Sequence, residues 1–537
     1  MIRSYEDDLR RRLAGEKNFV VKAGGRLRFA LAYPNSYRVG MSNLGIHIIY
    51  ALLNGRRDVA CERFFLPEGE RLLNLETLTP LNKFQVVGFA LSFEPDYFHA
   101  VRMLRLGKIN PCSSERTDFD PLIIAGGPCA TFNPEPLAEI FDAFVIGEGE
   151  VILPRLIDEI IATEHLPRRQ RLERLAQLEG VYVPTFPRRI RRLWLENLDD
   201  YPAHTTIITD DAEFNMYLVE TARGCGRHCR FCMAGYCFRK PRNRSLDVLK
   251  REILDAKAFG KKIGLMGAAI SDYPQIDELC RFILGNGLPM SVASFRADSV
   301  TETLVRSLAA GGLKTLTVAP EVGSDKMRAV VNKGITEEHV FNAVELGLKA
   351  GIKNFRLYFM VGLPFEELDD VEAIGELTAR VKKFCGGRLT LSVNPFVPKP
   401  STPFQWSPFA GKKYLEAAFK ILRSSVKSLR GVEMISESIR GSQVQAILSR
   451  GDRKISRAVM LSESVQDFRR NFNDAGLDEN FYLRAIPFDE PLAWGFLDQG
   501  FTTDYLRDEF NRAAQLKPTP KCFDGCRRCG VCKGEIQ

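Results

Sequence analysis

The chain of 537 residues is 45% hydrophobic and 26% charged, which allows about three domains with cores of their own. This composition excludes a disordered protein, a coiled coil and a collagen-like fibre. No apolar run reaches the ~20 residues of a membrane helix, and the N-terminal residues lack the apolar segment of a secretory signal, so we expect a cytoplasmic protein without a membrane partner. The formal net charge of +8 is a small excess. Basic runs such as RRIRR favour a solvated surface over a nucleic-acid interface.

Residues 26–150 alternate short apolar segments with segments of helical periodicity. The apolar segments RLRFALAYP, FQVVGFALSF, PLIIAGGP and DAFVIGEGE are predicted strands, and GIHIIYALLN and PDYFHAVRMLR are predicted helices. This alternation predicts a doubly wound parallel sheet, in which ligands bind beyond the carboxyl ends of the strands. The loops expected at that edge are candidates for a cofactor-binding rim, or else simple βα turns; they comprise residues 34–37, 92–94, 126–128 and 147–150.

A second series of strands and helices follows a basic, helical connector. The predicted strands are FNMYLVETARG, KIGLMG, PMSVASF, TLTVAP, NFRLYFMVGLP and RLTLSVNPFVP. Their spacing of roughly 30 residues suits repeated βα units, and six units predict a partial or full β/α barrel with its chemistry at the strand C-termini. The fold class is therefore α/β, with an N-terminal domain and connector at 1–190, a barrel at 205–430, and a small α+β C-terminal region at 431–537.

Seven of the thirteen cysteines fall in two short clusters, which indicates soft-metal ligation rather than core packing. The first cluster, Cys225, Cys229 and Cys232, follows the first predicted barrel strand with the spacing Cys-x3-Cys-x2-Cys. Three thiolates from one loop can hold three irons of a 4Fe–4S cluster and leave the fourth iron without a protein ligand. Such an open position is typical of a catalytic metal site. A zinc site with His228 as the fourth ligand is the alternative.

This motif, at this place in the predicted barrel, resembles that of the radical S-adenosylmethionine (SAM) superfamily. The resemblance implies a 4Fe–4S cluster whose unique iron binds SAM, and reductive cleavage of SAM to a 5′-deoxyadenosyl radical that abstracts hydrogen from an inert carbon. It also implies a reductant such as flavodoxin or ferredoxin. GLMGAA stands where the family usually has Gly-Gly-Glu, and SFRAD, APEVGS and FMVGLP stand at later strand ends. The implied cofactor contacts are Phe231, Gly267, Ser294, Arg296, Glu321 and Gly362.

The N-terminal half resembles that of a subset of this superfamily with a cobalamin-binding domain before the barrel. AGGPCATFNPEP and VIGEGE are similar to two of its rim loops, while YPNSYRVGMSNLG and FVPKPSTPFQW are similar to a largely uncharacterised branch. The resemblance implies cobalamin-dependent methylation or rearrangement at an unactivated carbon; a vestigial scaffold is the alternative. Glycines at the rim would let the backbone approach a ligand closely. The implied contacts are Tyr37, Ser92, Gly126, Gly127, Gly147 and Glu148.

The sequence contains no Asp-x-His-x-x-Gly motif, which supplies the lower cobalt ligand in methionine-synthase-like domains. We therefore expect groups other than histidine at the lower face of a bound cobalamin. The histidines of the N-terminal half are accordingly interpreted as surface or packing residues; they are His47, His99, His165 and His204.

The second cysteine cluster closes the chain with the run CFDGCRRCGVC. Its four ligand candidates lie much closer together than those of a two-knuckle zinc site, and their spacing resembles ferredoxin-type runs. We favour a second iron–sulfur cluster, with zinc as the alternative and electron relay, substrate anchoring or tail stapling as its role. The residues are Cys522, Cys526, Cys529 and Cys532.

Two other functions remain open from the sequence. Methylthiotransferases that modify tRNA or a ribosomal protein also join an α/β domain to a radical SAM barrel, and bind a further cluster through three N-terminal cysteines. Cys61, Cys112 and Cys129 match that number but not that motif. A non-catalytic cluster-bearing protein that binds RNA through its basic runs is the third hypothesis. The sequence does not identify the substrate.

Overall fold

The structure, a computed structural model, describes residues 5–292 and 295–532, and no helix in those ranges is both long and apolar enough to cross a membrane. The strands are β1 (Leu27–Tyr33), β2 (Val59–Phe65), β3 (Val86–Ala90), β4 (Leu122–Gly126), β5 (Ala143–Val145), β6 (Val181–Tyr182), β7 (Ile190–Arg191), β8 (Met216–Glu220), β9 (Ala222–Arg223), β10 (Arg242–Asn243), β11 (Lys262–Met266), β12 (Met290–Val292), β13 (Thr315–Glu321), β14 (Asn354–Val361), β15 (Arg388–Pro395), β16 (Val432–Ser436) and β17 (Leu497–Asp498). The α-helices are α1 (Tyr5–Ala14), α2 (Tyr37–Gly40), α3 (Leu44–Asn54), α4 (Asp96–Leu106), α5 (Pro128–Phe132), α6 (Gly149–Ala162), α7 (Arg168–Leu175), α8 (Ala234–Cys237), α9 (Leu246–Lys257), α10 (Ile276–Gly285), α11 (Glu302–Ala310), α12 (Asp325–Val331), α13 (Glu337–Lys349), α14 (Leu368–Cys385), α15 (Lys412–Lys427), α16 (Ile439–Arg450), α17 (Ser456–Met460), α18 (Val465–Asp474), α19 (Glu479–Leu483) and α20 (Thr503–Ala514).

The chain folds into two compact units, each built from more than one stretch. The first comprises the residues up to 217 together with 448–479 and 491–500, and the second comprises 218–447, 480–490 and the residues from 501 onward. The C-terminal stretch 431–537 is thus divided between the units. Its helix α17 packs against α4 of the first unit, whereas α20 packs against α12 of the second.

The first unit is built on a six-stranded sheet of order β2-β1-β3-β4-β5-β6. β1 pairs in parallel with β2 and β3, the parallel pairing continues through β4 to β5, and β6 is antiparallel to β5. The predicted doubly wound parallel sheet is therefore confirmed. Side chains such as Leu31, Phe89 and Ile124 are buried, as expected when helices cover both faces of a parallel sheet.

The edge strand β2 is missing from the predicted strands because Glu62 and Arg63 interrupt its apolar residues. Both charged side chains are nevertheless buried. The Arg63 guanidinium lies between two carboxylates, 2.6 Å from Glu16 Oε2 and 2.6 Å from Glu76 Oε1. A buried charge is tolerated when it is paired in this way. Charged residues that make a strand unlikely from the sequence can therefore lie in a buried strand of the folded protein.

The strand order changes direction at β1, which has β2 on one side and β3 on the other. Such a switch point opens a crevice between the loops that follow the two diverging strands, and doubly wound folds bind ligands there. The four predicted rim loops, residues 34–37, 92–94, 126–128 and 147–150, follow β1, β3, β4 and β5. They consequently lie at one carboxyl edge of the sheet.

The second unit contains the six predicted barrel strands and a seventh. The strands form two ladders, β12-β11-β8 and β13-β14-β15-β16, and the pairs β11/β12, β13/β14, β14/β15 and β15/β16 are parallel. The additional strand β16 lies just beyond the predicted barrel end, where exposed Glu433 and Ser436 leave only a short, interrupted apolar pattern. Side chains of Ser245, Thr301 and Thr336 cap the helices α9, α11 and α13, which helps to define the βα repeat.

We expect Arg63→Met to destabilise the first unit by about 3 kcal/mol, because the substitution leaves two carboxylates buried without their counter-ion. Hydrogen exchange followed by mass spectrometry on peptides from β1 and β2 should show opening that is roughly 100-fold more frequent. The matched control is Arg26→Met, which breaks the exposed pair with Glu164. It should change the free energy of opening by less than about 1 kcal/mol. Exchange within twofold of the unsubstituted protein would contradict the role of Arg63.

Candidate active site

The loop that carries the first cysteine cluster follows the end of β8 in the second unit. Thr221 donates its backbone N–H to the Met266 carbonyl at 2.8 Å, which ties the loop to the end of β11. β9 and β10 then pair as a short antiparallel ladder that closes the loop at its base. Gly224 has φ +82°, and a Cβ there would lie 2.1 Å from the Phe238 carbonyl oxygen. The loop can therefore close only with glycine at this position.

The three cysteines of this loop differ in burial. Cys229 is buried, whereas Cys225 and Cys232 are half-buried. The backbone N–H of Arg227 donates to Cys225 Sγ at 3.4 Å, and Arg296 Nη1 donates to Cys229 Sγ at 3.7 Å. Burial raises the pKa of Cys225, and raises that of Cys232 to about 12. Metal binding must therefore displace protons from these thiols.

The donor set fits an iron–sulfur cluster with an open iron. Three soft thiol donors come from one short loop at the carboxyl ends of barrel strands, and a guanidinium lies against one of them. No group of three or more Cys, His, Asp or Glu side chains within residues 5–292 and 295–532 is already arranged to hold a metal ion. The fit thus rests on the chemistry and position of the donors.

Two aspartates and two arginines connect the cysteine loop with the neighbouring strand ends. Arg227 donates to both Asp272 oxygens, at 2.8 and 2.7 Å, and to Asp298 Oδ2 at 2.8 Å. Arg296 pairs with the same Asp298 at 3.0 Å. Burial alone would raise the pKa of Asp272, but hydrogen bonds from Arg227 and Ser299 lower it below its usual value. Asp272 is therefore charged at neutral pH and balances the guanidinium.

A cavity of about 790 Å³ opens beside this cluster. Cys225 and Arg227 form one part of its wall, and Asp272 and Asp298 form another. The volume lies within the range of small-molecule sites, and its lining offers both signs of charge. An amino acid part of a ligand, with its ammonium and carboxylate, suits such a lining.

The structure places the other predicted SAM contacts at several strand ends. Arg296 reaches the cysteines directly. Gly267 follows β11, where a Cβ would come within 3.2 Å of Thr221 Oγ1. Phe231 packs against a hydrophobic cluster of the second unit. Glu321 and Gly362 lie at the ends of β13 and β14, each with positive φ.

Their cofactor roles stay predictions. Ser294, another predicted contact, lies outside the described residues.

Sequence reasoning missed Arg227 and Asp272, and it quoted Asp298 only as part of SFRAD. Arg227 stands between two cysteines of the motif, and both aspartates follow barrel strands within a few residues. Charged residues at these places could have been marked as candidates. Their pairing, however, joins residues 45 and 71 positions apart, which no local pattern indicates.

Several predicted cobalamin contacts at the rim of the first unit have structural roles of their own. The Tyr37 hydroxyl donates to Glu16 Oε1 at 2.7 Å within the core, and buried Glu148 accepts from the Leu195 N–H at 2.9 Å. A Cβ on Gly127 would lie 2.6 Å from the Leu91 oxygen, and one on Gly147 would lie 2.0 Å from the Leu193 oxygen. These two glycines thus allow the chain to approach its own backbone rather than a ligand.

The rim retains an accessible surface at Gly126 and in the loop after β3. The nearest atom to a Cβ on Gly126 would be Val145 Cβ at 3.7 Å. Ser92 accepts a long hydrogen bond from Asn43 at 3.4 Å, and the neighbouring Phe93 is 46% exposed. An exposed aromatic ring beside small residues can support a flat, largely apolar ligand.

The terminal cysteines lie next to the first cysteine loop. Cys522 donates its backbone N–H to the Gly226 carbonyl at 2.8 Å, and its Sγ lies 3.5 Å from His228 Nε2. Cys526 and Cys529 are buried, whereas Cys522 and Cys532 are half-buried. The His228 Nδ1 is hydrogen-bonded to the Tyr505 hydroxyl. The Nε2 of His228 therefore faces Cys522. This contact disfavours His228 as the fourth ligand of a zinc site formed with the first cysteine cluster.

Cys61, Cys112 and Cys129 are not brought together. Cys61 lies on β2 and Cys129 on α5, which follows β4. β1 and β3 lie between β2 and β4 in the sheet, and at ~4.8 Å per strand this separates β2 from β4 by about 14 Å. The structure thus offers no support for an N-terminal cluster of the methylthiotransferase kind.

Two family profiles match the chain: "Radical SAM proteins, N-terminal" over residues 45–184 and "Radical SAM superfamily" over residues 219–378. An uncharacterized protein of Methanocaldococcus jannaschii is 33% identical over 477 residues, which cover 84% of this chain and 98% of the relative. The chain belongs to the radical SAM superfamily. The predicted family is thereby confirmed, including the additional N-terminal domain before the barrel.

Two shorter matches, each 27% identical, each cover 47% of this chain and 56% of the relative. One is named as an uncharacterized methyltransferase of Pyrococcus horikoshii, and the other carries a methylthiotransferase name in Methanocaldococcus jannaschii. Among solved structures, a radical SAM methyltransferase, TsrM, from Kitasatospora setae with cobalamin and a [4Fe-4S] cluster bound is 15% identical. That match covers 69% of this chain and 72% of that chain, with a TM-score of 0.48.

We expect Cys229→Ala to abolish SAM cleavage, because two thiols from the loop cannot hold three irons of the cluster. Iron and acid-labile sulfide, measured after anaerobic purification, should fall by the content of one cluster, and 5′-deoxyadenosine formation should fall below detection. The matched control is Cys385→Ala. That cysteine ends α14, at the opposite edge of the barrel strands, and its loss should leave both readouts unchanged. Normal iron and activity in Cys229→Ala would refute the assignment.

Proposed function

We propose that this radical SAM enzyme uses cobalamin to methylate or rearrange an unactivated carbon of its substrate. The observation that carries the proposal is the presence, in one chain, of a cysteine loop at barrel strand ends and a separate doubly wound sheet with a switch point at β1 and β3. The first feature suits SAM cleavage. The second supplies an edge of the kind that binds flat cofactors in doubly wound folds.

In the second unit, Cys225, Cys229 and Cys232 would hold the 4Fe–4S cluster. With SAM bound, that group supplies one-electron cleavage to a 5′-deoxyadenosyl radical. Arg227 fixes the loop through Asp272 and Asp298, so the thiols keep their positions relative to the cavity. The cavity wall supplies carboxylates and guanidinium groups to orient a charged ligand.

In the first unit, the loops after β1, β3, β4 and β5 would hold cobalamin, with Phe93 and Gly126 at the contact surface. A broad, flat ring needs several short loops at one sheet edge, and this edge provides four. Cobalamin can supply a methyl group to a substrate radical. Methyl transfer is therefore the favoured outcome, and rearrangement is the alternative.

The corrinoid prediction is tested by reconstitution of the full chain with hydroxocobalamin, followed by gel filtration. We expect about one corrinoid per chain to remain bound, since Phe93 and Gly126 present an accessible surface at the edge where doubly wound folds bind ligands. SAM cleavage is measured on the same sample with a flavodoxin reductant. Complete loss of corrinoid on the column, with SAM cleavage intact, would overturn the cobalamin part and leave a radical SAM enzyme with a vestigial N-terminal domain.

We also propose a second iron–sulfur cluster at the terminal cysteines. Arg239 is buried, its Nη1 lies 3.4 Å from His228 Nδ1, and its positive charge faces Cys522 and Cys529. A buried cation stabilises thiolates and an anionic metal centre. The backbone of Cys522 is hydrogen-bonded to the loop of the first cluster. This contact favours electron relay to that cluster as the role of the second one.

Metal analysis distinguishes this centre from zinc. The anaerobic protein should contain about eight irons, whereas Cys526→Ala should retain about four, because the first cluster keeps its own three ligands. The matched control is Cys112→Ala, a half-buried cysteine outside both clusters, which should leave the iron content unchanged. About four irons and one zinc in the unsubstituted protein would overturn the iron–sulfur assignment.

A further inference from the structure

The segment that carries the terminal cysteines buries two of its thiols and exposes its charged side chains. Cys526 and Cys529 are buried. The exposed basic residues of the segment are Lys517, Lys521, Arg527 and Arg528. Asp524 is the one acidic residue among residues 515–532, and it is exposed as well. The surface over the terminal cysteines is therefore positive.

An exposed aromatic ring lies among these charges. Phe523 is 65% exposed, which makes it the most exposed large apolar side chain in the described part of the second unit. It stands on a turn in which the Cys526 N–H donates to the Phe523 carbonyl at 3.0 Å. Leu516 is exposed too, at 45%. Exposed apolar side chains with polar ones around them are typical of surfaces that bind another protein.

The segment folds back on itself and lies against the loop of the first cysteine cluster. Arg528 Nη1 donates to the Pro520 carbonyl at 2.8 Å, which brings together residues eight positions apart. A Cβ on Gly226 would lie only 3.3 Å from Cys522 Cβ, and Cys522 directly precedes Phe523. A protein that docks around Phe523 would therefore come close to both cysteine clusters.

The proposed SAM cleavage consumes one electron, which a carrier outside the chain must supply. Transient electron-transfer complexes bury less than about 1,200 Å² in total, so a patch of a few side chains is sufficient for docking. A positive surface attracts an acidic partner and speeds its association. Positive charge also suits RNA, but sequence-tolerant RNA binding uses several aromatic platforms, and residues 515–532 contain a single aromatic residue.

We propose that this terminal surface docks an acidic protein that carries one electron, such as a flavodoxin or ferredoxin. The terminal surface comprises Leu516, Lys517, Lys521, Phe523, Arg527 and Arg528. The transfer oxidises the carrier by one electron and reduces an iron–sulfur centre of this chain by one, and no bond forms or breaks. The inference rests on the proposed SAM cleavage. It holds whether the terminal centre relays the electron or only lies beside the first cluster.

The test compares two ways of reducing the full chain. Flavodoxin, kept reduced by its reductase and NADPH, drives steady-state formation of 5′-deoxyadenosine, whereas excess dithionite added before SAM drives a single turnover without protein docking. Lys517→Glu/Arg527→Glu should raise the flavodoxin concentration for half-maximal rate about 10-fold at low salt. Because salt screens surface charges, this difference should shrink to within about twofold at ~0.5 M salt. The single turnover with dithionite should stay unchanged.

The other members of the terminal surface are treated separately. Lys521 lines the cavity beside the first cysteine loop, and Arg528 lines a cavity of about 590 Å³ together with Asp504 and Asp508, so both stay in place. Phe523→Ser removes the exposed ring. It should weaken the flavodoxin-driven reaction at low and at high salt, because an apolar contact is not screened by ions.

The matched control is Lys420→Glu/Lys427→Glu, which reverses two exposed charges on α15 of the same unit. It should change neither the flavodoxin-driven reaction nor the single turnover. Flavodoxin kinetics of Lys517→Glu/Arg527→Glu that match those of this control would overturn the docking site.

Carbodiimide cross-linking gives a readout that does not depend on activity. The reagent joins an amine to a carboxylate where the two side chains touch. Mass spectrometry of the cross-linked complex with flavodoxin should therefore find flavodoxin carboxylates on Lys517 or Lys521. Cross-links confined to other lysines would contradict the proposal.

The proposed function and this inference fail in different ways. If the unsubstituted chain forms no 5′-deoxyadenosine after reduction with dithionite, the proposed SAM cleavage is overturned and the inference with it. If dithionite supports cleavage but the terminal variants leave the flavodoxin kinetics unchanged, only the docking surface is overturned. Loss of tRNA binding in Lys517→Glu/Arg527→Glu, with unchanged flavodoxin kinetics, would assign the surface to RNA instead.

Discussion

Arg227 is the residue on which the geometry of the cysteine loop depends. Its guanidinium makes three charge-assisted hydrogen bonds of 2.7 to 2.8 Å to Asp272 and Asp298. These aspartates belong to the loops after β11 and β12, so one side chain joins three strand ends. Bidentate pairing of this kind fixes direction as well as distance. The loop that carries the three thiols is thereby anchored at these strand ends, with Cys225 in the wall of the cavity.

Both units place their candidate sites by the same constraint. In a parallel sheet all strands point the same way, so the loops that follow them converge at one edge. The cysteine loop, Asp272 and Asp298 use this edge in the second unit, and the loops that carry Phe93 and Gly126 use it in the first. Glycine serves a different purpose at Gly127 and Gly147, where the chain passes close to its own backbone. The precise fit of the edge loops thus depends on internal packing as much as on ligands.

The sequence by itself determined the α/β class, the parallel sheet of the first unit and six of the barrel strands, because buried parallel strands leave long apolar runs. It also determined the cysteine loop and the family, since both are properties of local spacing. It failed at β2 and β16. In β2 the charged residues Glu62 and Arg63 interrupt the pattern, and in β16 the exposed residues Glu433 and Ser436 do. A local pattern does not contain the partner that makes such residues acceptable.

Only the tertiary structure decided which distant residues meet. It brought Cys522 to Gly226 and His228 across almost 300 positions of chain, and it paired Asp96 with His99 beneath the Pro34 carbonyl. Hydrogen bonds depend on position in space and not on order along the chain, so a local sequence pattern does not identify partners that only the fold brings together.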